Sequence, residues 1–118
     1  MLLNLSNHPS AKWPPDQMQT ATQQYGSIED LPFPQINPHW SADQVVQLAE
    51  QYYIQIRQLD PFPTAVHLMG ELTFTFALVT KLKAAGISCV ASTTERIVNF
   101  EQNGNKHSTF RFIHFRQY

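Results

Sequence analysis

Charge is scarce in this chain of 118 residues: Asp, Glu, Lys and Arg make up 14% of it, against 42% hydrophobic residues. A globular domain usually carries about a quarter charged residues, so part of the surface is expected to be covered by a partner. The formal net charge of −1 gives no general attraction to long nucleic acid; any phosphate site has to be local. Cysteine is nearly absent. The one copy, Cys89, lies in an apolar run and has no partner for an internal disulfide, which fits a reducing compartment. Long apolar runs are missing too. None reaches the ~20 residues of a membrane span, and MLLNL is too short, and too soon followed by polar residues, for a signal peptide. These absences point to a cytoplasmic protein with no membrane partner. The five histidines have no ligand spacing such as HExxH and there is no cysteine pair, so neither a metal nor another cofactor is expected. No glycine-rich phosphate loop of either common pattern occurs.

With no internal repeat and no dividing linker, residues 1–118 read as one domain, large enough to bury a core. Leu2 to Leu5 is a buried strand. A polar amphipathic helix follows from Pro14 or Pro15 to Gln24, proline suiting the first turn and Gly26 the stop. Ser27 to Pro34 contains a short second strand ended by prolines. Ser41 and Gln44 have capping-box spacing, and Val45, Ala49, Tyr52, Ile56 and Leu59 then mark one buried helix face. Thr64 to Met69 is a third strand, and Glu71 to Ala85 a third helix stopped by Gly86. That helix is apolar over more than one side, which predicts a place between two layers or at a subunit contact. Ile87 to Ser92 is a fourth strand. Arg96 to Gln102 and Thr109 to Arg116 form a hairpin around Asn103-Gly104, the strongest short turn signal present. Alternating strands and helices predict an α/β fold in three layers: a mostly parallel sheet, helices on both faces, and a C-terminal antiparallel hairpin at one edge.

Three apolar runs break into small hydrogen-bonding residues: LLNLSNHPS, AVHLMGE and SCVASTTER. In an open sheet of this kind, loops leaving the carboxyl ends of the strands share one rim, where ligands bind. If strands one, three and four are neighbours, the three clusters meet there. Gly70 stands at a strand-to-helix junction, where the missing Cβ admits a ligand close to the backbone, and the helix start beside it attracts anions. Ser92, Thr93 and Thr94 offer hydroxyls and Arg96 a fork that fits phosphate. Glu71, a carboxylate in the first helical turn, competes with an anion and would instead hold a ribose hydroxyl or base edge, or pair with Arg96. STTER also fits a plain turn, His8 a polar turn residue and His67 a packed core histidine. His107 and His114 read as structural or surface residues.

The motifs NLSNHPS, DLPFP, VHLMGE with TFTFAL, STTER and the closing FRF…FRQY, spanning nearly the whole chain, resemble a family of short bacterial proteins associated with type III CRISPR systems. That resemblance implies a stand-alone CARF-like, Rossmann-like domain, usually a homodimer, that binds cyclic oligoadenylate across the dimer; some such proteins are ring nucleases. The expected ring is cyclic tetra-adenylate. The implied chemistry is metal-independent: the ribose 2′-hydroxyl attacks the adjacent phosphorus and expels the 5′-oxygen, leaving a 2′,3′-cyclic phosphate. Arg96, Thr93 and Thr94 would stabilise charge on the phosphoryl oxygens, and His8 would move a proton. Asn7, Ser10 and Glu71 would position ribose or base. Two other readings remain: a binder of the same messenger without catalysis, and a protein-interaction module using the apolar helix and the aromatic hairpin.

Overall fold

The computed structural model describes every residue, Met1–Tyr118. The chain is an α/β protein with one five-stranded mixed sheet. In chain order its elements are β1 (Leu2–Ser6), α1 (Pro15–Tyr25), β2 (Ile28–Asp30), α2 (Ala42–Arg57), β3 (Ala65–Met69), α3 (Leu72–Ala84), β4 (Cys89–Phe100) and β5 (Lys106–Gln117). The strand order is β2-β1-β3-β4-β5. β1 pairs in parallel with β2 and β3, and β3 with β4, while β4 and β5 are antiparallel. Strands one, three and four are therefore neighbours, as the convergence of the three polar clusters requires. No helix is long and apolar enough to cross a membrane.

Alternation along the strands divides the core. Leu3, Leu5, Val66 and Leu68 pack with Val45, Ala49 and Ile56 of α2 and with Phe74, Leu78 and Leu82 of α3. Leu2, Ala65 and Val90 point the other way, against Trp13, which precedes α1, and Ala21 within it. Because successive strand side chains face opposite sides, α1 covers one face of the sheet and α2 with α3 the other. Local signals fix the ends. Ser41 accepts a hydrogen bond from the Gln44 N–H and Gln44 Oε1 accepts from the Ser41 N–H, the reciprocal capping box. Gly26 and Gly86, at φ 85° and 77°, end α1 and α3 in backbone that side chains resist.

Two features differ from expectation. STTER is not a strand-end loop: β4 continues without a break from Cys89 to Phe100, since the β-branched Thr93 and Thr94 suit extended backbone. A bulge lies between the pairs Ser92–Phe115 and Thr94–Phe112, with the extra residue on β5. The apolar circumference of α3 is also only partly buried. Phe74, Leu78 and Leu82 face the core, whereas Leu72 and Phe76 are 82% and 75% exposed. Beside these two, Trp40 and Val46 complete an apolar groove of about 480 Å³.

Candidate functional site

At the carboxyl end of β1 the chain turns through Asn7, His8 and Pro9, and this turn is held by side chains from within. The buried Asn4 donates from Nδ2 to the His8 carbonyl at 2.9 Å and to Asp30 Oδ1 at 2.8 Å. Ser6 Oγ lies 2.8 Å from Asn4 Oδ1 and 3.1 Å from the same carbonyl, and the Trp13 indole N–H donates to it at 3.1 Å. Two N–H donors on this one carbonyl, from Asn4 and Trp13, with the single Ser6 hydroxyl proton shared between Asn4 Oδ1 and the carbonyl, fix the turn in one conformation. Ser10 belongs to this support: its hydroxyl donates to Asp30 Oδ2 at 2.8 Å and its N–H to Oδ1. Burial alone would raise the Asp30 pKa, but the hydrogen bonds from Asn4 and Ser10 hold it below the usual carboxylate value.

His67, in the middle of β3, continues the network inward. Its Nδ1 is 2.9 Å from Asn4 Oδ1 and its Nε2 is 3.0 Å from Ser92 Oγ. The rings of Trp13 and Phe115 meet it edge-on, centroids 5.2 and 5.5 Å away. Burial, reinforced by the nearby His8 charge, pushes its pKa down to about 4, so the ring is neutral at physiological pH. It is indeed a packed core histidine, and one that also borders the surface.

That surface is a hollow of about 390 Å³ on the α1 side of the sheet. His8 contributes from the β1 turn, Lys12 and Trp13 from the segment between that turn and α1, and Gln17 from α1. His67 and Met69 come from β3, Ser92 and Thr94 from β4, and Phe110 and Phe112 from β5. No carboxylate lines it, so the Lys12 ammonium sets the local charge. The hollow exists because β4 pairs with β3 only at Cys89 and Val90. Beyond that point Ser92 meets β3 only through the His67 and Met69 side chains, and Thr94 pairs with Phe112 of β5. Aromatic faces, hydroxyls and one cation around a concave surface suit a nucleotide: stacking for a base, charge for a phosphate.

The expected site residues divide. His8, Ser92 and Thr94 share this hollow. Asn7, Gly70 and Glu71 line a second, more open one with Phe33 and Gln35. The ring of Phe33 fills the place where a Gly70 Cβ would begin, so packing by itself requires glycine there. Glu71 is the N-cap of α3, accepting the Phe74 N–H at 2.7 Å and the Thr73 N–H at 3.1 Å. These bonds, the one from Phe74 foremost, lower its pKa. The helix start expected to attract phosphate is thus already occupied by a carboxylate.

Thr93 lies in neither hollow. Its hydroxyl donates to the His114 carbonyl at 3.1 Å and accepts the His114 N–H at 3.3 Å, closing the bulge. Arg96 pairs across the hairpin with Phe110, two pairs beyond Thr94–Phe112 and so on the same face, and donates to Ser108 Oγ at 3.1 Å. Sequence reasoning did not single out Asn4, Lys12 or Trp13 for the site. The one available signal was a polar Asn4 inside an apolar strand.

The structure is thus a five-stranded α/β sheet with a carboxylate-free, aromatic-lined hollow on its α1 face. The chain belongs to the MJ1673 family: the model described as "Uncharacterized protein MJ1673 family" matches residues 1–116. No curated protein and no solved structure matches it.

Proposed function

We propose that this protein binds a cyclic oligoadenylate second messenger and cleaves it, as a regulator of type III CRISPR signalling. The reading rests on the hollow of His8, Lys12, Ser92 and Thr94 with Trp13 and Phe110, which holds a cation and no carboxylate. We read the architecture as a Rossmann-like three-layer sandwich, in which the strand order reverses between β1 and β3 and the hollow lies beside that point, His8 and Met69 reaching it from the ends of these two strands. The motif resemblance supplies the ligand class and the CRISPR context.

One hollow of about 390 Å³ falls within the roughly 300–1,000 Å³ of small-molecule pockets and suits one nucleotide. A ring of four exceeds one such hollow; a homodimer with a two-fold axis presents two, which would take two of its nucleotides, with the other two bridging between them. We assign the dimer contact to the exposed Leu72 and Phe76 of α3 with Trp40 and Val46. In cleavage, the 2′-hydroxyl attacks the neighbouring phosphorus while the 5′-oxygen leaves. Lys12 stabilises charge on the phosphoryl oxygens and His8, at the mouth of the same hollow, moves a proton. The buried thiol of Cys89, pushed up to about 11 by burial, is unreactive, in keeping with a cytoplasmic protein.

A binder without catalysis is the second reading. It is favoured by one observation: the Thr93 hydroxyl and the Arg96 guanidinium, expected to stabilise phosphoryl charge, bond to the protein itself. Prolonged incubation with cyclic tri-, tetra- and hexa-adenylate, followed by chromatography, separates the two. Linear products ending in a 2′,3′-cyclic phosphate support cleavage; a bound but intact ring supports the binder. Failure of every ring to bind contradicts both.

A further inference from the structure

The hydrogen-bond chain behind the hollow fixes which way the Ser92 hydroxyl points. Asn4 Nδ2 faces only acceptors, the His8 carbonyl and the Asp30 carboxylate, so the amide orientation is determined and Oδ1 is the atom turned to His67. An amide oxygen accepts but cannot donate. His67 Nδ1, 2.9 Å away, must therefore carry the proton. Burial keeps the ring neutral, and a neutral imidazole protonated on Nδ1 has a bare lone pair on Nε2. The group facing that lone pair at 3.0 Å is Ser92 Oγ, and its single proton goes there. Met69 Sδ, 3.1 Å from the same oxygen, is a weak thioether acceptor. Sending the proton to it would leave a buried imidazole nitrogen unpaired.

We propose that Ser92 meets the ligand as an acceptor only, and so selects a donor hydrogen on the nucleotide, carried by a ribose 2′-hydroxyl or by the exocyclic amine of adenine. A phosphate oxygen, which has no hydrogen to offer, is not its partner. Asn4 and His67 are positioning residues that act through Ser92. Within the hollow this divides the work: Lys12 takes the charge, and Ser92 reads a neutral polar group. The inference rests on the nucleotide-binding reading above for its ligand, but the orientation of the hydroxyl stands on the protein alone.

The test has two parts. Long-range proton–nitrogen NMR of the ligand-free protein reports the His67 tautomer: a protonated Nδ1 and bare Nε2 are expected, and a protonated Nε2 overturns the proposal. Calorimetry then compares cyclic tetra-adenylate with its all-2′-deoxy analogue and with a ring bearing purine in place of adenine. The wild type is expected to lose about tenfold in affinity for one of the two analogues, the size of one good hydrogen bond, and that analogue identifies the donor. Ser92→Ala erases the difference and Ser92→Thr keeps it. Equal affinity of the wild type for all three rings overturns the proposal even with the expected tautomer. If no ring binds, the selection fails together with the nucleotide reading, while the nitrogen spectrum alone still decides the direction of the hydroxyl.

Discussion

The ring of Phe33 occupies the space where a side chain at Gly70 would begin. It is itself braced edge-on against Phe74 of α3, ring centroids 5.3 Å apart. Gly70→Ala is therefore expected to push Phe33 off this contact and to destabilise the protein by roughly 1–3 kcal/mol, the usual cost of overpacking. Urea denaturation checks the value. In a Phe33→Ala background the same substitution should cost much less, a non-additivity expected only of residues in contact.

His67 makes stability pH-dependent. Its folded pKa of about 4 lies below the ordinary histidine value of about 6.5, so between those values the unfolded chain binds a proton that the folded one does not. The His67 contribution to the unfolding free energy thus falls as pH drops from about 6.5 to 4, by about 3 kcal/mol in all, and is constant above that window. Asp30 and Glu71, both held low, add losses of the same sign only lower, in the carboxylate range. Denaturation at pH 7.5, 6.5 and 5.5 should show the fall, and His67→Gln should flatten it.

Thr93 is expected to be structural. Thr93→Val removes both bonds to His114 and should destabilise by about 1 kcal/mol, with Thr93→Ser restoring most of the loss. Ligand affinity should change little in either variant. A large loss of affinity at unchanged stability would instead give Thr93 a direct role in binding.

The dimer assignment predicts that Phe76→Glu yields a monomer. Phe76 is 75% exposed in a single copy, so the fold should survive and the circular dichroism spectrum should be unchanged. Light scattering on the wild type and the variant decides the matter: a wild-type mass of one chain, or a dimeric variant, counts against this contact.

The elements were legible wherever one local signal decided them. The Ser41–Gln44 capping box, the stops at Gly26 and Gly86 and the turn at Asn103-Gly104 all lie where their chemistry requires. The adjacency of β1, β3 and β4 stayed a condition, because strands joined by helices can be ordered in several ways; the order β2-β1-β3-β4-β5 meets it. STTER misled because small polar residues after an apolar run resemble a loop, and the bulge that lets the strand continue depends on the partner strand. The buried network was not legible, since Asn4 and His67 are 63 positions apart and meet only through the β1–β3 register. Gly70 and Glu71 were singled out for chemistry, yet one serves packing and the other a helix cap. A local motif looks the same in either role until its neighbours are known.

The central claim is that the hollow around Lys12 takes a cyclic oligoadenylate. Calorimetric titration of cyclic tetra-adenylate into the wild type, Lys12→Ala and Gln35→Ala tests it most directly, because Gln35 lines only the second hollow. The account predicts binding that Lys12→Ala weakens about tenfold or more, the loss of one charge-assisted hydrogen bond, and that Gln35→Ala leaves unchanged. Binding lost with Gln35→Ala but kept with Lys12→Ala, or no binding by the wild type, would contradict it.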